Sequence, residues 1–145
     1  MTVDEANQVL AEAELLADAT QVAVAISRLA DEVTSRLSKA RPMVICIMNG
    51  GLIFTGQLLT KLLFPLELGY VHATRYGDQT TGSKLNWISC PVNDLRNRTV
   101  LLLDDILDEG VTLSAIADWC IEQGAAEVLM AVLVNKRHGR KVKPG

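Results

Sequence analysis

The chain has 145 residues, of which 49% are hydrophobic and 21% charged, with a formal net charge of −3. That length supports one domain with a core of its own, and the composition is too apolar for a disordered chain. The negative balance offers no basic field to recruit nucleic acid or an anionic membrane, and no apolar run approaches the length of a membrane span.

Thr2 and Glu5 have the spacing of a capping box, and Val3, Ala6, Leu10, Ala13 and Ala17 recur at helical intervals, predicting a first helix with one apolar face. Asp4 and Glu5 stand where a secretory signal would need positive charge, so this is not read as a signal. After a break at 18–20, Val22, Ile26, Leu29, Val33 and Leu37 form the stripe of a second helix. Lys39 and Arg41 favour its C-terminal dipole, and Pro42 ends it. Neither helix carries chemistry; both read as packing elements, a lobe over a site or a subunit contact.

Residues 43–48 form an unbroken apolar run, read as a buried strand, and Asn49-Gly50-Gly51 turns the chain into a helix over 52–63. Leu52, Leu59, Leu62 and Leu63 are the core candidates of that helix. A Gly-Gly turn after a strand is either an anion loop or an ordinary turn. A second strand spans 66–75, with His72 read as a structural residue, and a third spans 85–90, antiparallel to it. The polar, glycine-rich stretch 76–84 between them reads as a lid or as a long surface hairpin. Residues 91–98 are a turn-rich connection.

The centre of the sequence is 99–113. Apolar β-formers lead into three carboxylates, Asp104, Asp105 and Asp108, then a turn at Glu109-Gly110 and a helix over 111–123. A strand covered on both faces, ending in carboxylates, places them where open α/β sheets hold ligands. The glycine turn aims N–H groups and a helix dipole at the same place, which is an anion site. Carboxylates beside an anion site suit a ligand with both phosphate and hydroxyl groups, such as a sugar phosphate. Gly124 caps the helix, and 127–135 is the last strand, followed by a basic tail whose Lys136 can reach the same ligand edge. Cys46, Cys90 and Cys120 lack CxxC spacing and are expected to be reduced and buried, consistent with the cytoplasm.

Leu101 to Thr112 resembles the phosphoribosyl-diphosphate signature of type I phosphoribosyltransferases: apolar residues, Asp104-Asp105, Ile106-Leu107, then Asp108-Glu109-Gly110-Val111-Thr112. Leu133 to Arg137 resembles the base-binding segment of the hypoxanthine-guanine branch, and the likeness extends over 43–143. It implies a doubly wound α/β fold, a mostly parallel sheet with flanking helices, in a single domain over 1–145. Within it, 1–41 is a helical lead-in, 42–136 the core and 137–145 a basic tail. The implied activity is transfer of 5-phosphoribosyl from its diphosphate to hypoxanthine or guanine; the alternative is a regulatory relative that binds the ligand without turnover. The resemblance implies Asp108 as general base, Asp104 and Asp105 on the ribose hydroxyls and Mg²⁺, and residues 108–112 on the 5′-phosphate. It also implies Asn49, Gly50 and Gly51 on the diphosphate, Lys136 on the base oxygen, and Arg75-Tyr76 leading a lid. A homodimer or homotetramer is expected from the family habit. Glu109 departs from the Thr or Ser of many members, and Met48-Asn49 lacks the cationic side chain often found before Gly-Gly. Members of this branch continue past the equivalent of Pro144 with a strand and loops that hold the base, so truncation is expected here.

Overall fold

The computed structural model describes residues 1–13, 17–75, 85–90, 93–107 and 110–135, with the backbone alone at 75 and 135. Its elements are α1 (Val3–Glu12), α2 (Ala19–Leu37), β1 (Met43–Ile47), α3 (Leu52–Leu59), β2 (Glu67–Arg75), β3 (Leu85–Ser89), β4 (Thr99–Leu107), α4 (Val111–Glu122) and β5 (Glu127–Asn135). The strands form one sheet in the order β3-β2-β1-β4-β5. β2, β1, β4 and β5 run parallel, and β3 returns antiparallel along β2. This is the expected mostly parallel α/β sheet.

Alternation along the strands divides the core in two. Met43 and Ile45 of β1 join Val100 and Leu102 of β4 and Val71 of β2 on the face covered by Ile116 and Cys120 of α4. Val44, Leu101 and Leu103 point the other way, against Ile26, Val33 and Leu37 of α2 and Phe54 and Leu58 of α3. Burial on both faces is why β1 and the first half of β4 read as continuous apolar runs.

Both N-terminal helices start on reciprocal capping boxes: Thr2 with Glu5, and Asp18 with Gln21. α2 buries Ile26, Ala30, Val33 and Leu37, close to the expected stripe, whereas α1 buries none of its residues. α3 is shorter than expected. Lys61 and Leu62 donate their N–H groups three residues back, to Leu58 and Leu59, and the Thr60 hydroxyl donates to the Gln57 carbonyl, tightening the chain out of the helix. The core face of α3 is Phe54, Thr55 and Leu58; of the four leucines expected there, Leu62 is buried, Leu59 half-buried, and Leu52 and Leu63 are exposed. α4 closes in a Schellman turn, with Ala125 donating to Cys120, Gly124 to Ile121, and Gly124 at φ +94°. Cys46 and Cys120 are buried free thiols, but Cys90 is exposed because it lies one residue past the end of β3 on the sheet edge.

At the N-terminal ends of the parallel strands, Arg98 holds three segments together. Its Nη1 donates to Glu67 Oε1 at 3.0 Å and its Nη2 to the Arg41 carbonyl at 2.9 Å, while the Arg41 guanidinium lies 3.8 Å from the same carboxylate oxygen.

Candidate active site

The opposite, C-terminal edge of the sheet is where the topology leaves a crevice. β1 continues through α3 on one face to β2, and β4 through α4 on the other face to β5, so the crossovers diverge between the adjacent strands β1 and β4. Such a switch point is where open α/β sheets bind ligands. Of the described candidates, Gly50, Gly51, Asp104 and Asp105 meet there.

β4 carries the acidic pair near its end. The Asp105 N–H donates to Asp104 Oδ1 and the Ile106 N–H to Asp105 Oδ1, both at 2.8 Å, so each carboxylate is fixed by the next residue's backbone while retaining a second oxygen. Burial, together with the neighbouring Asp105 carboxyl and against the pull of the Asp105 N–H, pushes the Asp104 carboxyl up to about 7.

The turn after β1 packs directly on this pair. A Cβ on Gly51 would lie 2.7 Å from the Leu103 carbonyl oxygen and 2.8 Å from that of Ile47, so only glycine lets the turn lie this close to the strands. A Cβ on Gly50 would meet Asp105 Oδ1 at 2.9 Å and Asp104 Oδ1 at 3.4 Å. The Met48–Asn49 peptide in this turn is cis. The Gly-Gly turn that sequence alone could not separate from an ordinary one is thus a wall of the crevice. Strand adjacency is the signal that would have found it, and it is invisible until the sheet order is known.

Beyond β4, Gly110 takes a left-handed φ of +79° as the N-cap of α4, and among the described residues no side chain caps it. The first intrahelical bond runs from the Ser114 N–H to the Gly110 carbonyl, leaving the N–H groups of Val111, Thr112 and Leu113 without helical partners. Where no described residue takes up these N–H groups, such a helix start has donors to offer an anion. Asn135 registers with Leu107, and Arg75 ends β2 opposite Leu85 of β3. Of the candidates, Asp108, Glu109, Tyr76 and Lys136 lie outside the described residues, as does the Arg75 side chain.

Among the described residues no three His, Cys, Asp or Glu gather as a metal cage. The acidic pair is suited to a hard cation that takes most of its ligands from water and phosphate, because such an ion needs only one or two carboxylates.

The chain is similar to several known proteins. Hypoxanthine-guanine phosphoribosyltransferase of Streptococcus pneumoniae is 28% identical over 131 residues, covering 90% of this chain and 73% of that protein. The enzyme of the same name from Bacillus subtilis is 27% identical over 117 residues, covering 80% of this chain and 65% of its own length. In fold, the chain superimposes on a hypoxanthine-guanine phosphoribosyltransferase from Bacillus anthracis with a TM-score of 0.85 at 22% identity, covering 92% of this chain and 79% of that one. The model of the phosphoribosyl transferase domain matches residues 12–144. With so little of the sequence outside that match, the chain belongs to the phosphoribosyl transferase domain family.

Proposed function

We propose that this chain is a purine-salvage enzyme that moves the 5-phosphoribosyl group of phosphoribosyl diphosphate onto hypoxanthine or guanine, releasing diphosphate. The observation that carries the reading is the packing of the Gly50-Gly51 turn against Asp104 and Asp105 at the switch point. Curated relatives named for this activity support it, as does the likeness of the fold to a Trypanosoma cruzi enzyme solved with its product IMP.

In this reading the N–H groups of Gly110, Val111 and Thr112, with the Thr112 hydroxyl, hold the 5′-phosphate at the start of α4, joined by the backbone of Asp108 and Glu109. The free oxygens of Asp104 and Asp105 accept hydrogen bonds from the ribose 2′- and 3′-hydroxyls. The negative charge of Asp105, joined by that of Asp104 where its carboxyl is ionised, favours the cationic character that the ribose gains as the bond to diphosphate lengthens. Asn49, Gly50 and Gly51 line the diphosphate, with the main-chain N–H groups of Asn49 and Gly50 as donors, while the Gly51 N–H is held by the Ile47 carbonyl at 2.8 Å. Mg²⁺, held by Asp104 and Asp105 when bound, supplies charge neutralisation for the leaving diphosphate. Asp108 takes the purine proton as general base, Lys136 donates to the exocyclic oxygen of the base, and the segment led by Arg75-Tyr76 excludes water. The chain acts as one domain, in the cytoplasm and as a homo-oligomer; two buried free thiols support the reducing compartment.

The test is a diphosphate-release assay with Mg²⁺, phosphoribosyl diphosphate and one base at a time. Turnover with hypoxanthine and guanine but not adenine is expected. Asp108→Asn should lower kcat by about 10²–10⁴-fold, the usual contribution of a general base, while phosphoribosyl diphosphate still binds. Loss of that binding in the wild-type chain would overturn the reading, and unchanged kcat in the variant would remove Asp108 from the role.

A further inference from the structure

Among the described residues Thr55 is the only polar side chain sealed in the apolar core, at 4% exposure, and its hydroxyl finds no hydrogen-bond partner there. A buried hydroxyl that loses its water contacts and gains nothing in exchange is destabilising, so its position asks for a reason. Thr55 sits in the first turn of α3, directly behind the Asn49-Gly50-Gly51 turn, with its N–H donating to the Gly51 carbonyl at 2.8 Å. Beside it stands Cys46 of β1, a buried thiol that the activity proposed above does not use. Cys46 Sγ lies 3.9 Å from Met48 Sδ, within reach of a weak S–H donation, and Met48 leads into the turn. Burial pushes the Cys46 thiol up and the nearby Thr55 hydroxyl pulls it down, while the Asp104 carboxyl adds to the push. The thiol and the hydroxyl therefore already feel each other without making a bond of good geometry. A cavity of about 290 Å³, lined by Cys46, Met48, Leu52, Thr55 and Leu59 among others, leaves Met48 room to move.

We propose that Thr55 is a positioning residue for the diphosphate turn, its hydroxyl held in reserve for the Cys46 thiol when bound ligand draws Met48 away. In the free chain Cys46 gives its S–H to Met48 and Thr55 goes without a partner. An anion gripped by the Asn49 and Gly50 N–H groups pulls on the peptide that Met48 begins, and the thioether shifts within the cavity. Cys46 then turns to Thr55, so the ligand-bound turn gains a hydrogen bond that the free turn lacks. A group satisfied in the bound state alone shifts the equilibrium toward that state. The inference rests on the activity proposed above for the identity of the ligand.

The test is calorimetric titration of phosphoribosyl diphosphate with Mg²⁺ into the wild type, Thr55→Val and Thr55→Ser, together with the melting temperatures of the ligand-free proteins. Thr55→Val deletes the hydroxyl at nearly constant shape. It is expected to melt above the wild type, because an unpartnered buried group is gone, and to bind about three- to tenfold more weakly, the worth of one hydrogen bond. Thr55→Ser keeps the hydroxyl and should keep wild-type affinity. In a Cys46→Ala background the affinity penalty of Thr55→Val should vanish, because the two side chains act as a pair. A residue that merely packs would lower melting temperature and affinity together. That result, or an affinity unchanged in Thr55→Val, would overturn the proposal. Turnover with hypoxanthine is read separately: its absence in a wild type that binds would sink the activity while the affinity comparison still decides the role of Thr55. A wild type that binds no ligand would overturn both.

Discussion

Asp104 is the residue whose environment makes the clearest demand. An aspartate free in an unfolded chain titrates near pH 4, whereas burial holds this one at about 7. The fold therefore favours its protonated form. That contribution to stability is complete below the unfolded value and is lost as pH rises through the folded one. For metal-free protein, the melting temperature should fall between pH 5 and pH 8, beyond any trend seen in Asp104→Asn, in which the carboxyl is gone. Adding Mg²⁺ at pH 8 should restore part of the loss in the wild type and less in the variant. A melting temperature with the same pH dependence in both proteins would show that Asp104 is not the group responsible. Cys46 and Cys120 are pushed up by burial too, so thiol reagents should label Cys90 in the folded chain well before either of them.

At the scale of elements, the Gly50-Gly51 turn separates structure from chemistry within two adjacent positions. An alanine at 51 would press its methyl on two strand carbonyls that cannot move aside, and should cost roughly 1–3 kcal/mol, the usual range for overpacking. An alanine at 50 would press on a carboxylate instead, and should lower kcat/KM through the acidic pair while changing the denaturation midpoint much less. Chemical denaturation and steady-state kinetics on the two variants would separate these effects; equal stability losses would contradict the assignment. Part of this was legible in the sequence. The apolar runs of β1 and β4, the caps of α1 and α2, and the glycine that ends α4 are local patterns, and local patterns survive in one dimension. The core face of α3 was misread because its residues are apolar nearly all round, so periodicity gave no phase. The contact between Gly50 and Asp105 is long-range and no spacing rule encodes it. The apolar face of α1 was legible, but its exposure in the fold was not.

Across the whole molecule, the strands have two ends with different duties. At one end the turn between β1 and α3 is shaped by close backbone approach to the end of β4 and its carboxylates. At the other, Arg98 joins Glu67 and the Arg41 carbonyl, tying the chain just ahead of β1 to the starts of β2 and β4. Arg98 is three-quarters shielded and Glu67 about half, so this is a partly buried cluster rather than a loose surface pair. Removing one partner, as in Glu67→Gln, should cost on the order of 1 kcal/mol. The sheet is thus clamped at the end opposite the proposed site. Thermal tolerance and turnover should therefore be separately heritable in this chain: changes at the clamp should move the melting temperature and leave KM alone, so selection for heat resistance has a place to act that catalysis does not contest.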